Sequence, residues 1–586
     1  MIIEKIQEIL NAGAKKAGYN EEFSVSFSNM PALCDFQCNG CFALAKKYGK
    51  APLQIAEEIV AAVGDNADFE FSAVKPAFIN IKLTNKALKG IANNYLHDEM
   101  GGLKPHKNPQ KVILDYGGAN VAKALHIGHL RPAIIGESLK RLYKVMGDEV
   151  ISDVHLGDWG LQMGLTALEL YEEGKIDGFF GEGENKTLTL EDLNYAYPQA
   201  SKRKNEDEQF RQKAEQWTLK IQEKQEPYYS IYKKIREVSV ENIKENYAKL
   251  GAEFDLWYGE SDASDYTGQT IQIIKDKGLA RESEGALIVD VAEEGENIPL
   301  PKKNEDEVQR YGNPMPPCII AKSNGASLYA TTDIATILMR NQMFENVDRM
   351  EYVTDARQHM HFTQVFRVCK MAGISPDGQT LLHIGHGTMN GSDGKPFKTR
   401  SGDTLKLEDI VDLLINKANE KLISNGSAKN DALALKIGVA AMKFGDLSNT
   451  VGKDYVFDID RFLAFEGKTG PYLQYTVVRI NSILSKLQNV VAGEIKVEDK
   501  EVRDIVMAIL KLNSSYEICY KEKSLNALCG SVYELASAFS TFYNNVKVVS
   551  EQDKEKQTGY VGLLNLVKKK MEQALNVLAI EIPEKM

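Results

Sequence analysis

No stretch of the sequence approaches the ~20 consecutive apolar residues of a membrane-spanning helix. The first residues, MIIEKIQEIL, are amphipathic and acidic, unlike the basic-then-apolar pattern of a secretory leader. Cysteine is scarce. Seven in 586 residues, an odd number, argue against a disulfide framework and for a reduced, cytoplasmic protein. Basic charge is not in excess either. A formal net charge of −11 disfavours a protein that coats nucleic acid indiscriminately, but leaves room for one that docks a structured RNA on local basic patches. No internal repeat is visible. The chain is too long for one hydrophobic core, so three or four domains are expected.

What is present changes character along the chain. Helical periodicity over 1–20 and 50–63, with Pro52 in a first turn, is followed by strand-like alternation over 66–83. This predicts an α+β domain ending near the polar linker GGLKPHKNPQ at 101–110. A buried strand, KVILDY (111–116), then leads through GGAN into a helix expected from about 124 to 146. Strand, tight turn and helix start predict a βα unit opening a parallel sheet. VISDVHLGD (150–158) reads as the next strand and its loop. The charged stretch from about 168 to 250 reads as a helical insertion. The α/β pattern resumes with GALIVDV, CIIAK, SLYATTDIAT and MEYVTDA, before GSDGKPFKTRSGD (391–403), a basic loop by composition. From 405 onward the pattern is almost wholly helical, and over 481–586 acidic and basic side chains balance.

Only nine histidines occur, and two of them flank a glycine in ALHIGHLRP (124–132). Three readings compete. A metal site lacks further ligands: Cys34, Cys38 and Cys41 fall in another predicted domain, structural zinc needs four ligands, and none is expected here. The pair His359 and His361, read as a strand, would share a face without a nearby acid. A polar helix cap would be ordinary for a lone histidine. The context favours a third reading. After a buried strand and a small-residue turn, the chain presents unpaired N–H groups and the positive end of a helix. His126 and His129 there can donate to phosphate oxygens as charge develops on an in-line phosphoryl centre. Gly128 between them lets a ring or ribose approach the backbone.

His126–His129, HIGH, resembles the first signature of class I aminoacyl-tRNA synthetases. The longer string DYGGANVAKALHIGHLRPAIIGESLKRLYKVMG is similar to its form in the arginyl-tRNA synthetase family. So are DVHLGDWGLQMG, FDLWYGESD, SLYATTDIA, TDARQHMHFTQVF, KPFKTRSGD, DYVFDIDRFLAFEGKTGPYLQY and the closing IPEKM. The resemblance covers the whole chain. It implies an α/β Rossmann-type parallel-sheet catalytic core with helical insertions, an N-terminal α+β domain and a C-terminal all-α bundle. The expected divisions are 1–105, a domain that grips tRNA; 106–404, the catalytic domain with its insertion at about 168–250; and 405–586, an anticodon-binding bundle. It implies activation of L-arginine with ATP, Mg2+ accompanying the nucleotide, and transfer to the terminal adenosine of tRNA(Arg). A monomer is expected, with no membrane partner.

Residue by residue, the resemblance assigns His126, His129 and Gly128 to the nucleotide. The second class I signature, a lysine-rich loop, departs here from its general form. Its cations are Lys395, Lys398 and Arg400, flanked by Gly391, Gly394 and Gly402, and Lys123 is placed to supplement them. Arginine's rigid fork of donors demands a carboxylate. Asp115, at the end of KVILDY, and Asp333, in YATTD, sit where strands are expected to end and are the candidates; if YATTD is helical instead, Asp333 shares a face with the pocket residue Tyr329, four positions earlier. With Asn120 and Gln358 they are expected to line the arginine pocket. Which carboxylate meets which nitrogen stays open. Gly118-Ala119-Asn120 replaces the family's Ser-Pro-Asn, which predicts a more flexible turn. In the bundle, Tyr472, Gln474, Tyr475, Arg479, Phe542, Tyr543 and Asn544 are candidates to meet anticodon bases or to pack the core. Phe78 and Asn80 match the N-terminal domain's signature. The rivals are a nucleotidylyltransferase sharing the HxGH phosphate site, a catalytically silent RNA-binding paralogue, and a synthetase for cysteine or glutamine. The lysine loop with a helical bundle behind it, the retained histidines and the unsupported zinc site weigh against them in turn.

Overall fold

The computed structural model describes residues 2–181, 187–299, 311–312, 314–321, 329–391, 394 and 405–586. Near the N-terminus, helices Ile2–Lys16 and Pro52–Val63 cover an antiparallel sheet whose strands run in the order Ser26–Phe27, Phe36–Cys38, Phe78–Leu83, Phe69–Val74. Phe36, Ile79 and Ile81 alternate inward, with Cys38 and Cys41 among them. Burial pushes both thiols up, that of Cys41 to about 12.

The central region is built on a four-stranded parallel sheet. Its strands are β1 (Lys111–Tyr116), β2 (Glu149–Asp153), β3 (Arg349–Asp355) and β4 (Thr380–His386), ordered β4-β3-β1-β2. Alternate residues of β1 feed opposite cores: Val112 and Leu114 one, Ile113 the other. Burial on both faces explains why KVILDY reads as a nearly continuous apolar run. Helix α1 (Leu130–Val145) connects β1 to β2. The order reverses beside β1, so a crevice opens at its carboxyl end, where open α/β sheets bind ligands.

The expected insertion is helical and includes α2 (Tyr228–Lys249). Two readings of the next region are corrected. GALIVDV and CIIAK do not extend the parallel sheet. They form an antiparallel three-stranded sheet, Cys318–Ala321 beside Ala286–Val289 beside Ala280–Ser283. YATTDIAT is the start of helix α3 (Tyr329–Met343), so Asp333 lies on a helix and not at a strand end. His359 and His361 likewise begin a helix, His359–Ala372, where a strand was considered. Short apolar runs do not separate helix from strand by periodicity.

Beyond β4, strand β5 (Met389–Asn390) pairs in parallel with β6 (Tyr455–Val456). The bundle comprises Leu407–Ser424, α4 (Asp431–Leu447), Gly470–Lys486, α5 (Lys500–Glu522), Asn526–Asn545 and Lys554–Val577. It is keyed to both neighbours by polar contacts. Arg503 reaches Asp35 of the N-terminal domain at 2.6 Å and the carbonyl of Leu83 at 3.1 Å. Tyr520 of α5 donates to Asp148 at 2.6 Å and accepts from Arg349 of β3 at 2.8 Å. No helix among the described residues is long and apolar enough to cross a membrane.

Candidate active site

The turn after β1 is built from backbone that few side chains tolerate. Gly117 and Gly118 have φ of 98° and 54°. A Cβ on Gly117 would meet Phe254, Tyr247 and Val154 within 3.3 Å. The Gly118 N–H donates to the Val154 carbonyl at 3.2 Å, and Tyr247 of α2 donates to the Gly117 carbonyl at 2.9 Å. The expected loosening of this turn is therefore offset by neighbours. The chain then pairs with the loop after β2: Val121 donates to Gly157 at 3.0 Å and Gly157 to Ala119 at 2.9 Å. Asn120 Oδ1 lies over Gly157, where a Cβ would come within 2.3 Å.

The predicted helix does not start at 124. A single 3-10 turn, Ile127–His129, precedes α1, and the two histidines cap it reciprocally. His126 Nδ1 accepts from the Gly128 N–H at 3.1 Å, and His129 Nδ1 accepts from the His126 N–H at 3.1 Å. An accepting Nδ1 has no proton, so each neutral ring carries its proton on Nε2. Their centroids are 4.0 Å apart. Burial, then the neighbouring His126, pushes His129 down to about 3. Burial and then Lys123 lower His126. Both rings are thus uncharged donors at neutral pH. Gly128 has a more local reason than room for a nucleotide: a Cβ there would stand 2.8 Å from Cε1 of His126. Lys123 is exposed, its Nζ 5.5 Å from the Tyr197 ring centroid. The segment is sewn to the bundle entrance, with Ile127 donating to Leu405 at 3.0 Å and Leu407 to Leu125 at 2.9 Å.

The carboxylates are arranged differently from the expectation. Asp115 is buried and its Oδ2 lies 2.6 Å from Nη2 of Arg340, which also reaches Asp153 at 2.7 Å. Burial raises the Asp115 carboxyl against the pull of Arg340. This candidate therefore already faces a guanidinium of the protein itself. Asp333 is half-buried on α3, with its Oδ2 2.5 Å from Nε2 of His361. Tyr329, at the first position of α3, is 72% exposed, and the four-residue spacing puts it on the face of Asp333. Gln358 is exposed at the end of the turn Ala356–Gln358.

Two further groups escaped the sequence reading. Glu260, in FDLWYGESD, is pushed up to about 7 by burial, with Asp158 and Asp333 adding and His155 opposing. His155 has φ 40° and two buried ring nitrogens without a hydrogen-bond partner among the described residues. Neither carried a readable signal beyond the quoted strings, because the acids that perturb Glu260 come from other segments. Lys395, Lys398 and Arg400 lie outside the described residues.

The RNA candidates divide. Phe542 and Gln474 are core: both are fully buried, and Gln474 Nε2 donates to the Glu581 carbonyl at 2.7 Å. At the surface, Arg479 stacks on Tyr475 and Tyr543, with centroids at 4.5 and 4.8 Å. Asn80 is buried and accepts from Gln37 at 2.9 Å, and Phe78 meets the edge of Phe42 at 5.5 Å.

A parallel βα core with a self-capped His-x-Gly-His turn at its switch point fits a class I aminoacyl-tRNA synthetase. Comparison with known proteins narrows this. Residues 91–459 match the family described as tRNA synthetases class I (R), catalytic domain; residues 473–586 match the DALR anticodon binding domain; residues 1–83 match the arginyl tRNA synthetase N terminal domain. The arginine–tRNA ligase of Agathobacter rectalis is 42% identical, with both chains covered in full, and that of Alkaliphilus oremlandii 40%, again in full. The arginyl-tRNA synthetase structure from Plasmodium falciparum superposes with a TM-score of 0.80 at 23% identity, over 100% of this chain and 99% of that one. The one from Thermus thermophilus gives 0.79 at 19% over both chains in full. The chain belongs to the arginyl-tRNA synthetase family, and its activity is that of an arginine–tRNA ligase, the aminoacylation of tRNA(Arg) with arginine.

Proposed function

We propose that the HIGH turn and the crevice between α3 and Glu260 divide the first step between them. Arginine's carboxylate oxygen attacks the α-phosphorus of ATP, the bond to the bridging oxygen breaks, and pyrophosphate leaves. His126 and His129 donate Nε2–H to phosphate oxygens as charge moves onto them. Lys123, with Lys395, Lys398 and Arg400, supplies positive charge, and Mg2+ enters as the complex with the nucleotide. A hydroxyl of the terminal adenosine of tRNA(Arg) then attacks the arginyl carbonyl and AMP departs.

Asp333, Glu260 and Tyr329 read the guanidinium, and Asn120 and Gln358 hold the α-amino and carboxylate end. Asp115 supports the pocket through Arg340. The surface stack of Arg479, Tyr475 and Tyr543 meets anticodon bases, and residues 1–105 grip the tRNA elsewhere. We assign the divisions 1–105, 106–404 and 405–586 to these tasks, in a cytoplasmic monomer.

The reciprocal histidine cap carries the reading, since it leaves two neutral donors at the switch point of the sheet. The test is pre-steady-state adenylation of wild type and H129A with saturating arginine. An unchanged rate in a folded H129A protein refutes it.

A further inference from the structure

Arg131 stands two residues beyond His129, in the first turn of α1, and is almost completely buried. Its Nε lies 3.0 Å from Oδ2 of Asp446 on bundle helix α4, the two side chains being 3% and 1% exposed. Its Nη1 donates to the Lys453 carbonyl at 3.0 Å. Tyr455 of β6 donates to the same Asp446 oxygen at 2.8 Å, and the Arg131 guanidinium sits 5.1 Å from the Tyr455 ring centroid. β6 in turn pairs with β5. One buried ion pair therefore ties the helix that follows the histidines to α4 and to the β5–β6 ribbon. The Leu405 carbonyl accepts from the N–H of Ile127, between the two histidines.

The cluster is not saturated. Nε and Nη2 of Arg131 and Oδ1 of Asp446 have no hydrogen-bond partner among the described residues: Nε approaches Oδ2 without aiming its hydrogen at it. Buried polar atoms are normally paired, and a buried ion pair left incomplete is a poor route to stability compared with apolar residues of the same size. Such a pair is better explained by the position it imposes. That position is the azimuth of the first turn of α1, and with it the direction of the two imidazole Nε2–H groups.

We infer that Asp446 is a positioning residue for adenylate formation, setting the HIGH histidines through Arg131 from the bundle side of the molecule. This rests on the reading of His126 and His129 as phosphate donors, and the experiment separates the two. The measurement is a double-mutant cycle on the full-length protein, with tRNA, ATP and arginine saturating and adenylation followed by rapid quench. D446N is expected to slow the step about thirtyfold while the KM for arginine stays within about twofold. If Asp446 acts through the histidines, D446N should cost less than about threefold in an H129A background, since residues acting as one unit are not additive.

A purely structural role is distinguished by R131M/D446L, which replaces the pair with apolar side chains. Its melting temperature should return to near the wild-type value while adenylation stays slow. This variant also covers the possibility that D446N fails to fold. Recovery of the rate together with the melting temperature overturns the inference, as does a full, additive loss from D446N in the H129A protein. An H129A enzyme of normal rate overturns the phosphate reading itself, and the inference falls with it.

Discussion

The two ends of the crevice proposed here for the nucleotide and for arginine solve opposite electrostatic problems. At one end the protein removes charge: burial, with Lys123 at His126 and the neighbouring His126 ring at His129, holds both imidazoles neutral, and each Nδ1 accepts a backbone N–H. At the other end it gathers carboxylates, with Glu260 near Asp333 and pushed up to about 7 by burial, and Asp333 against His361. The difference follows from what each end meets. A phosphate acquiring charge is stabilised by fixed dipoles that need no counter-ion of their own. A guanidinium brings its own charge, and a site with excess carboxylate is completed only when it arrives. Asp115 shows a third condition on the same crevice, a carboxylate already completed by Arg340.

This contrast can be broken at four points. The largest effect is expected at Asp115. D115N leaves Arg340 with one of its two buried carboxylates, so stability should fall by about 3–5 kcal/mol in urea melts. Activity on arginine and on citrulline should fall together. A selective loss of arginine would instead put Asp115 on the substrate. Next, H129A should lose roughly 3 kcal/mol of transition-state stabilisation in adenylation with arginine affinity unchanged. Because the wild-type His129 ring sits near 3, the wild-type rate should show no titration of that imidazole between pH 5 and 9.

The third point is Asp333. Citrulline carries a neutral urea, so D333N should cost arginine about 2 kcal/mol more than citrulline, read as kcat/KM for each. Equal losses would remove Asp333 from the fork. The smallest effect concerns Glu260 and pH. Its folded carboxyl, near 7, lies above the ordinary value of 4.5, so the folded state holds the proton more tightly than the unfolded chain. Its contribution to stability is therefore lost as pH rises from about 4.5 to 7. Arginine needs the ionised form, so affinity should rise with pH up to about 7 and then level. E260Q should flatten that profile and hold more stability at pH 8. A wild-type affinity independent of pH from 5.5 to 8 would show that Glu260 does not face the ligand.

Much of this was legible before any coordinates. KVILDY had to be a strand buried on both faces, because nothing in it alternates. The residues 405–586 had to be helical by period, and HIGH after a glycine turn had to sit at a helix start. What failed did so for stated reasons. YATTDIAT looks like its neighbouring apolar strands until the packing of Ile334 and Ile337 into the core shows its helical period. Phe542 and Gln474 were open between meeting bases and packing the core, and only the packed bundle decides for the core.

By itself, the sequence determined the order of the domains, the βα unit that carries the histidines, and the family. Those properties are local: they reside in periods, turns and strings of adjacent residues. Only the tertiary structure decided that Asp115 belongs to Arg340, that Glu260 stands beside Asp333, and that Arg131 meets Asp446. Each of these pairs joins residues far apart in the chain, and the charge state of a side chain depends on burial and on neighbours through space. A residue's place in the order of the chain carries neither.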